Sequence, residues 1–379
     1  MKFTVDAKAF GAAMAVAGRV ISPKSPWPIL ANVRIEAKEN MLTMMGSNGD
    51  VTFEADVPAS VATAGTALVS HDQLSKFFSA AKGGEVSVEV SRDGCIVKSG
   101  RGRIVLATSP IDDYPRYNGP DGALATLDAP ALCASLRYCV AAADDSEARY
   151  YLRGVYVEET PHGLEYWGTD GHALHHAATE GSASIGGGGI IPTEAVNIIT
   201  SIADRQETVG LLVCATGWSI SAAGVRAFGK VIDATYPDVR RVVKGFGDWA
   251  EVAVVAKDDI MATLAIAACG GNDAPGGSRQ IVIRGTVDSK IVIFGQGARS
   301  GVISAGRAET EALAKSDFSG CVNSKLLAAA MSGIEADSIA IHRCSIAWMV
   351  QAAQASATTS MTGYVMAIRA NEEEMSDAA

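Results

Sequence analysis

The chain has 379 residues, 48% of them apolar and 20% charged, with a formal charge of −10. That composition excludes a disordered polymer, and the length exceeds one ordinary core, so two or three domains are expected. The acidic balance excludes a protein that grips a polyanion through many ion pairs, while leaving room for weak contact.

Six segments share one pattern along the chain: an extended apolar run, a capping residue, then a helix-like stretch. They are "KFTVDAKAFGAAMAVAGRV", "ALVSHDQLSKFFSAAK", "ATLDAPALCASLRYCVAAA", "GIIPTEAVNIITSIADR", "VAVVAKDDIMATLAIAAC" and "GCVNSKLLAAAMSGI". The helix starts fall at Asp6, His71, Asp128, Thr193, Lys257 and Asn323, a beat of 57 to 66 residues. Asp6, Asp128, Thr193 and Asn323 are good N-cap types, because their side-chain oxygen can accept from an orphan backbone N–H. Pro130 falls in a first turn, where its missing donor costs little. Leu74, Phe77, Phe78 and Ala81 recur at helical spacing, as do Leu326, Leu327, Ala330 and Met331, with Leu132, Leu136, Cys139 and Val140 nearly so. Each helix therefore has one apolar stripe to bury and a small or polar opposite face.

Between the helices lie short β-like runs, with Asp93-Gly94 as a hairpin signal. Each unit reads as a strand, a helix, then three or four antiparallel strands. Two units per domain give an α+β chain of three similar domains, 1–120, 121–245 and 246–370, with an acidic disordered tail at 371–379. The joints "RYNGPDGALAT" and "VVKGFGDWAEV" are Gly-rich and linker-like. The glycine run Gly186 to Gly189 lacks the Lys-Ser/Thr of a phosphate loop and precedes a strand, so it reads as a flexible loop.

No apolar run reaches the ~18 residues of a membrane span, and "MKFTVDAKAF" has no apolar leader core. Seven cysteines without C-x-x-C spacing read as reduced, mostly buried thiols, so a cytoplasmic location is expected.

The stretch "YWGTDGHALHH" raises the question of a metal or catalytic site, since His172 and His176 stand four apart. Asp170-Gly171 joins two β-like runs, however, so the segment reads as strand–turn–strand. On a strand His172, Leu174 and His176 share one face and His175 takes the other. Neither a metal set nor a nucleophile–base pair has the right spacing elsewhere. No enzyme, catalytic residue, metal or cofactor is expected. An Asp–His hydrolase is the weaker alternative, and a hairpin with polar tips is the plain one.

The repeat, joined to particular words, resembles the bacterial DNA polymerase III beta subunit family, the sliding clamps. The words are "MKFTV", "PILANVRIEA", "RYYLRGVYVE" (Arg149 to Glu158), "TDGHAL" (Thr169 to Leu174), "YPDVRRVV" (Tyr236 to Val243) and "YVMAIR" (Tyr364 to Arg369). They run in order over nearly the whole chain. The resemblance implies a DNA clamp fold and a head-to-tail homodimeric ring, helices lining the hole and sheets outside. Such a ring encircles duplex DNA without reading its sequence and tethers a polymerase, a clamp loader and repair proteins through short linear motifs. A clamp-like paralogue that binds partners without supporting replication is the alternative. The six helix segments carry a net +1 against −11 for the remainder, which suits a weakly attractive lining.

Carried over residue by residue, the resemblance implies an apolar partner-peptide cleft between the second and third domains. Leu152, Thr169, Gly171, His172 and Leu174 would form one wall. Pro237, Arg241 and Val242 would form another, with Val365, Met366 and Ile368 completing it. Gly171 permits close backbone approach, and Met366 can adapt to several partners. Ala173 stands where the family commonly has a long basic residue and Ala367 where it has proline, so partner preference is expected to differ. Lys24, Arg149, Tyr150 and Tyr151 would face DNA. Arg101, Arg103, Ile104 and Leu106 would close the ring. Their usual acidic partner is replaced by "FGQGARSGVIS", with Arg299 and no carboxylate, and the nearby helix ends in "AACGGND". A dimer with reduced charge complementarity is expected.

Overall fold

The computed structural model describes residues 1–81, 83–92, 94–115, 117–270, 280–299, 302–354 and 359–368. Asp93 of the expected hairpin, part of "AACGGND", part of "FGQGARSGVIS" and the tail 371–379 lie outside the described residues.

Six helices start where the periodicity and caps place them. They are α1 (Ala7–Ala17), α2 (His71–Ala80), α3 (Ala129–Val140), α4 (Thr193–Ala203), α6 (Lys257–Gly270) and α7 (Ser324–Ser332). A seventh, α5 (Val239–Gly245), runs into the first residues of the segment expected to be linker. Asp6 accepts from Ala9 N at 2.8 Å, Asp128 from Ala131 N at 2.8 Å and Asn323 from Lys325 N at 3.0 Å, satisfying donors that a helix leaves open. Thr193 differs from expectation. It is already helical, and Pro192, which has no side-chain acceptor, stands at the cap position. Each of the six helices is preceded by a strand and followed by three antiparallel strands, with a further two-residue strand, Thr108–Ser109, after α2, so the sixfold beat is a repeated supersecondary unit.

The chain forms two compact units: Met1–Cys133 with Ala183–Val231, and Ala134–Ser182 with Ile232–Ala379. These cuts do not coincide with the repeat boundaries, because sheets continue across them. In the first unit Val225–Gly229 pairs antiparallel with Val51–Thr63, Val225 opposite Ala55. The sheet then runs through Lys2–Asp6, Glu85–Ser91 and Gly94–Ser99 to an edge at Gly102–Leu106. In the second unit Ala173–Glu180 pairs with Thr359–Ile368, and the path continues through Phe318–Asn323, Gln280–Gly285 and Lys290–Arg299 to an edge at Val302–Leu313. Pairing between repeats satisfies backbone groups that two separate sheets would leave exposed.

The cores follow from the helix stripes. In the first unit Phe10 of α1 stacks on Phe78 of α2 with ring centroids 4.1 Å apart, both rings buried. Such a pair is worth about 1 kcal/mol beyond the area it buries. In the second unit Leu327, Ala330 and Met331 of α7 are buried, and the Tyr138 hydroxyl donates to Ala330 O at 2.9 Å. Lys257 Nζ donates to Ser332 O at 2.8 Å and Ile334 O at 2.7 Å, closing the C-terminal end of α7. Among the described residues, no helix is long and apolar enough to cross a membrane.

Candidate functional site

The "TDGHAL" segment is a strand–turn–strand, Gly163–Thr169 running antiparallel to Ala173–Glu180. The Asp170 carboxylate is engaged locally: one oxygen accepts from His172 N at 2.8 Å and Ala173 N at 2.7 Å. Thr169 Oγ1 donates to Ala173 O at 2.6 Å and accepts from Gly171 N at 3.0 Å. Gly171 sits at φ +85°, a left-handed conformation that a side chain would strain. The turn is therefore held by its own polar groups.

The three histidines diverge, as strand alternation requires. His172 is exposed at the tip. His175 is buried with Nδ1 2.7 Å from Tyr138 O, its ring stacked 4.5 Å from that tyrosine. With that carbonyl as acceptor, Nδ1 carries the proton. His176 stacks 3.9 Å from Trp167, with Nε2 3.5 Å from Glu165. Burial lowers the pKa of both His175 and His176 against the pull of a neighbouring carbonyl and carboxylate respectively. Among the described residues, no group of three or more His, Cys, Asp or Glu is placed to hold a metal ion.

What this segment builds instead is one side of an apolar surface within the second unit. Leu174 stands opposite Tyr364 on the neighbouring strand, and Met366 N donates to His172 O at 2.9 Å. Tyr364 and Met366 pack, with Val243 and Trp249, on buried Phe246, Cys344 and Ala347. The rings of Phe246, Trp249 and Tyr364 lie 5.7 to 5.9 Å apart, a spacing of mutual aromatic contact. Val242 is 48% exposed and Ile346 45%, and Ala367 N donates to Ile346 O at 2.9 Å. The turn, α5 and the final strand thus meet, giving an apolar floor with exposed aliphatic rims.

The sequence-predicted residues fall unevenly on this surface. Gly171, His172, Pro237, Arg241 and Val242 are exposed, Met366 and Ile368 are half-buried, and Leu152, Thr169 and Leu174 are buried. Val365 faces differently from Met366. It is 1% exposed and, by alternation, points away from Met366 into the opposite face of the sheet, opposite Ala173 and Trp348. Tyr364 takes the place assigned to it. Sequence reading also missed Val243, Phe246 and Trp249. Their spacing of three was the available signal, obscured by the glycines that made the segment look like a linker.

α5 itself has two anchors. Asp238 caps it by accepting from Arg241 N at 3.0 Å. Arg240 lies 2.7 Å from Glu158 and 2.6 Å from Glu165, and its guanidinium carbon stands 5.7 Å from the Trp167 ring centre. Tyr236, just before the helix, stacks 5.0 Å from Tyr156.

Of the residues expected to face DNA, Lys24 is exposed, on a loop whose Trp27 is 62% exposed and was not singled out from sequence. Tyr150 is exposed, Tyr151 is half-buried, and their rings meet edge to face at 5.9 Å. Arg149 is half-exposed but held by Asp144 at 2.6 Å and by Asp170 O at 2.7 Å. At the sheet edge, Arg101 and Arg103 are exposed and Ile104 is half-buried. Leu106 is 7% exposed in the single chain, whereas Val105, on the other face of the strand, is 51% exposed.

Residues 1–118 match the N-terminal domain of the DNA polymerase III beta subunit, and residues 127–238 match its central domain, together more than half of the chain. The beta sliding clamp of Micrococcus luteus is 26% identical over 247 residues, covering 63% of this chain and 79% of that protein. That of Caulobacter vibrioides is 27% identical over 264 residues, covering 64% and 68%. Among solved structures, the DNA polymerase beta subunit of Streptococcus pyogenes superimposes with a TM-score of 0.88 at 18% identity, over 98% of this chain and 100% of that one. The DNA polymerase III beta subunit of Pseudomonas aeruginosa gives 0.86 at 19% identity, over 97% and 100%. The repeated strand–helix–strands unit and the matched domains agree: the chain belongs to the DNA polymerase III beta subunit family, the bacterial sliding clamps.

Proposed function

We propose that the protein works as a non-catalytic ring: two copies close head to tail around duplex DNA, and the apolar surface of the second unit receives short peptide motifs from replication and repair proteins. In this reading the ring holds a polymerase at its template topologically, so high DNA affinity is neither needed nor wanted. The acidic balance of −10 accords with that, since a sliding ring must not adhere. In this reading the duplicated repeat makes three domains, 1–120, 121–245 and 246–370, while the two compact units cut the chain elsewhere.

The observation that carries the peptide-binding part is the apolar surface over Phe246, Tyr364 and Met366, flanked by exposed Val242 and Ile346. A surface of this kind accepts leucine- or phenylalanine-type anchors. Ring closure is supported by two sheet edges. Gly102–Leu106 and Val302–Leu313 each pair, among the described residues, with one strand only. An open edge is a template for strand addition. Carboxylates absent from "FGQGARSGVIS" stand further along the second edge as Glu309 and Glu311, both exposed and ion-paired in the chain to Arg307 and Lys290, and in this reading they meet Arg101 and Arg103 of another copy.

The test is topological. The protein is loaded onto nicked circular DNA with its clamp loader, and the circle is then linearised. Retention on the circle and loss from the cut ends is the expected result. Equal retention on both would mark a conventional DNA binder and end the ring reading.

A further inference from the structure

We infer that Arg149 is a positioning residue of the partner cleft, holding the Thr169–His172 turn in place, and not a phosphate contact. The inference rests on the clamp reading above and goes beyond it by moving one residue from the DNA surface to the peptide surface.

The guanidinium is used in two directions at once. Its Nε lies 2.6 Å from Asp144, and its Nη1 donates to the Asp170 carbonyl at 2.7 Å. Asp144 is a fixed anchor: its carboxylate is buried, accepts from Ser146 N at 2.8 Å, and its backbone N donates to Leu152 O at 3.0 Å. A buried carboxylate of this kind needs a cation beside it, so the ion pair is not readily given up for a solvent-exposed phosphate. On the other side, Asp170 is the residue whose own carboxylate sets the backbone of His172 and Ala173. The approach is close: a Cβ built on Gly171 would stand 3.1 Å from Arg149 Nη1. The His172 carbonyl then accepts from Met366 N at 2.9 Å, so the position of the turn passes to the strand that floors the cleft.

The planar fork of arginine matters here. Nη1 donates to one acceptor while Nε stands within ion-pair distance of the other, a reach across two groups that a single ammonium cannot reproduce with the same geometry. Lysine at 149 would keep the positive charge for DNA and lose the bracket, which makes Arg149→Lys the discriminating variant and Arg149→Gln its neutral companion.

The experiment measures two affinities on the full-length protein. A labelled short peptide with adjacent Leu and Phe anchors reports the cleft, and a labelled primed duplex, titrated at several salt concentrations, reports phosphate contacts. Both variants are expected to bind the peptide about tenfold more weakly, the weight of one charge-assisted hydrogen bond. Both should keep the wild-type dependence of DNA affinity on salt. Lys24→Ala serves as the comparison and should lower that log–log slope by about one if Lys24 meets a phosphate. Wild-type peptide affinity in R149K, or a slope lowered by about one in R149Q alone, overturns the inference while leaving the clamp reading intact. A wild-type chain that binds no such peptide removes both. Thermal melts of each variant separate a shifted turn from a lost fold, and R149K alone decides if R149Q melts below the assay temperature.

Discussion

At the scale of single residues, two buried positions in the second unit set sharp expectations. Gly168 has ordinary backbone angles, yet a Cβ there would run into the Cys139 carbonyl oxygen, so the constraint is proximity and not conformation. Gly168→Ala must push the end of α3 off the strand and should destabilise by ~3 kcal/mol, read as a drop in denaturation midpoint. An unchanged midpoint would mean that α3 has room to shift. His175 makes the second case. It is buried, and burial lowers its pKa. An imidazole that is neutral when folded and free to protonate when unfolded contributes stability that is fully present above its unfolded pKa of ~6.5 and is lost as pH falls below it. Stability should therefore decline between pH 7.5 and 5.5, more steeply in the wild type than in His175→Gln, whose amide can still donate to Tyr138 O. Parallel curves would show that His175 takes no part. His176 and His342 shift in the same direction and add to the common slope.

At the scale of elements, α5 is the informative one. Seven residues are too few for a helix to persist alone in water. It stands because Asp238 caps it, Val239 is buried, and Arg240 brackets Glu158 and Glu165. The bracket is half-exposed, so its contribution to global stability is small, about 0–1 kcal/mol. Its local effect should be larger. Arg240→Ala is expected to speed amide exchange of residues 239–245 and weaken peptide binding severalfold, while the melting midpoint barely moves. Exchange as slow as in the wild type would show that the cap and Val239 suffice.

For the whole molecule, the decisive quantity is self-association. The edge strand Gly102–Leu106 exposes Val105 beside Arg103, the composition of an interface margin that needs a partner. Sedimentation should show a dimer that Val105→Glu weakens about tenfold without lowering the melting midpoint, since the side chain touches solvent in the monomer. Wild-type protein that stays monomeric at high micromolar concentration would exclude the ring, and a Val105→Glu dimer of unchanged strength would place the interface elsewhere.

Helix starts and the sixfold strand–helix–strands beat were readable from the residues, because caps and apolar stripes act within one or two turns of chain. The resemblance, too, was carried by short words that survive in order. What tertiary structure alone decided concerns partners distant in sequence. Arg149 reaches Asp170, 21 residues away, and Arg240 reaches Glu165, 75 away, so neither role shows in local pattern. The facing of Val365 was within reach of simple alternation from Met366, but only the pairing of its strand with Ala173–Glu180 says which face is buried. Likewise the sheets cross the repeat boundaries because backbone groups at an edge take whichever strand is nearest in space. Local chemistry determined what the elements are, and long-range pairing determined which side of each one meets a partner.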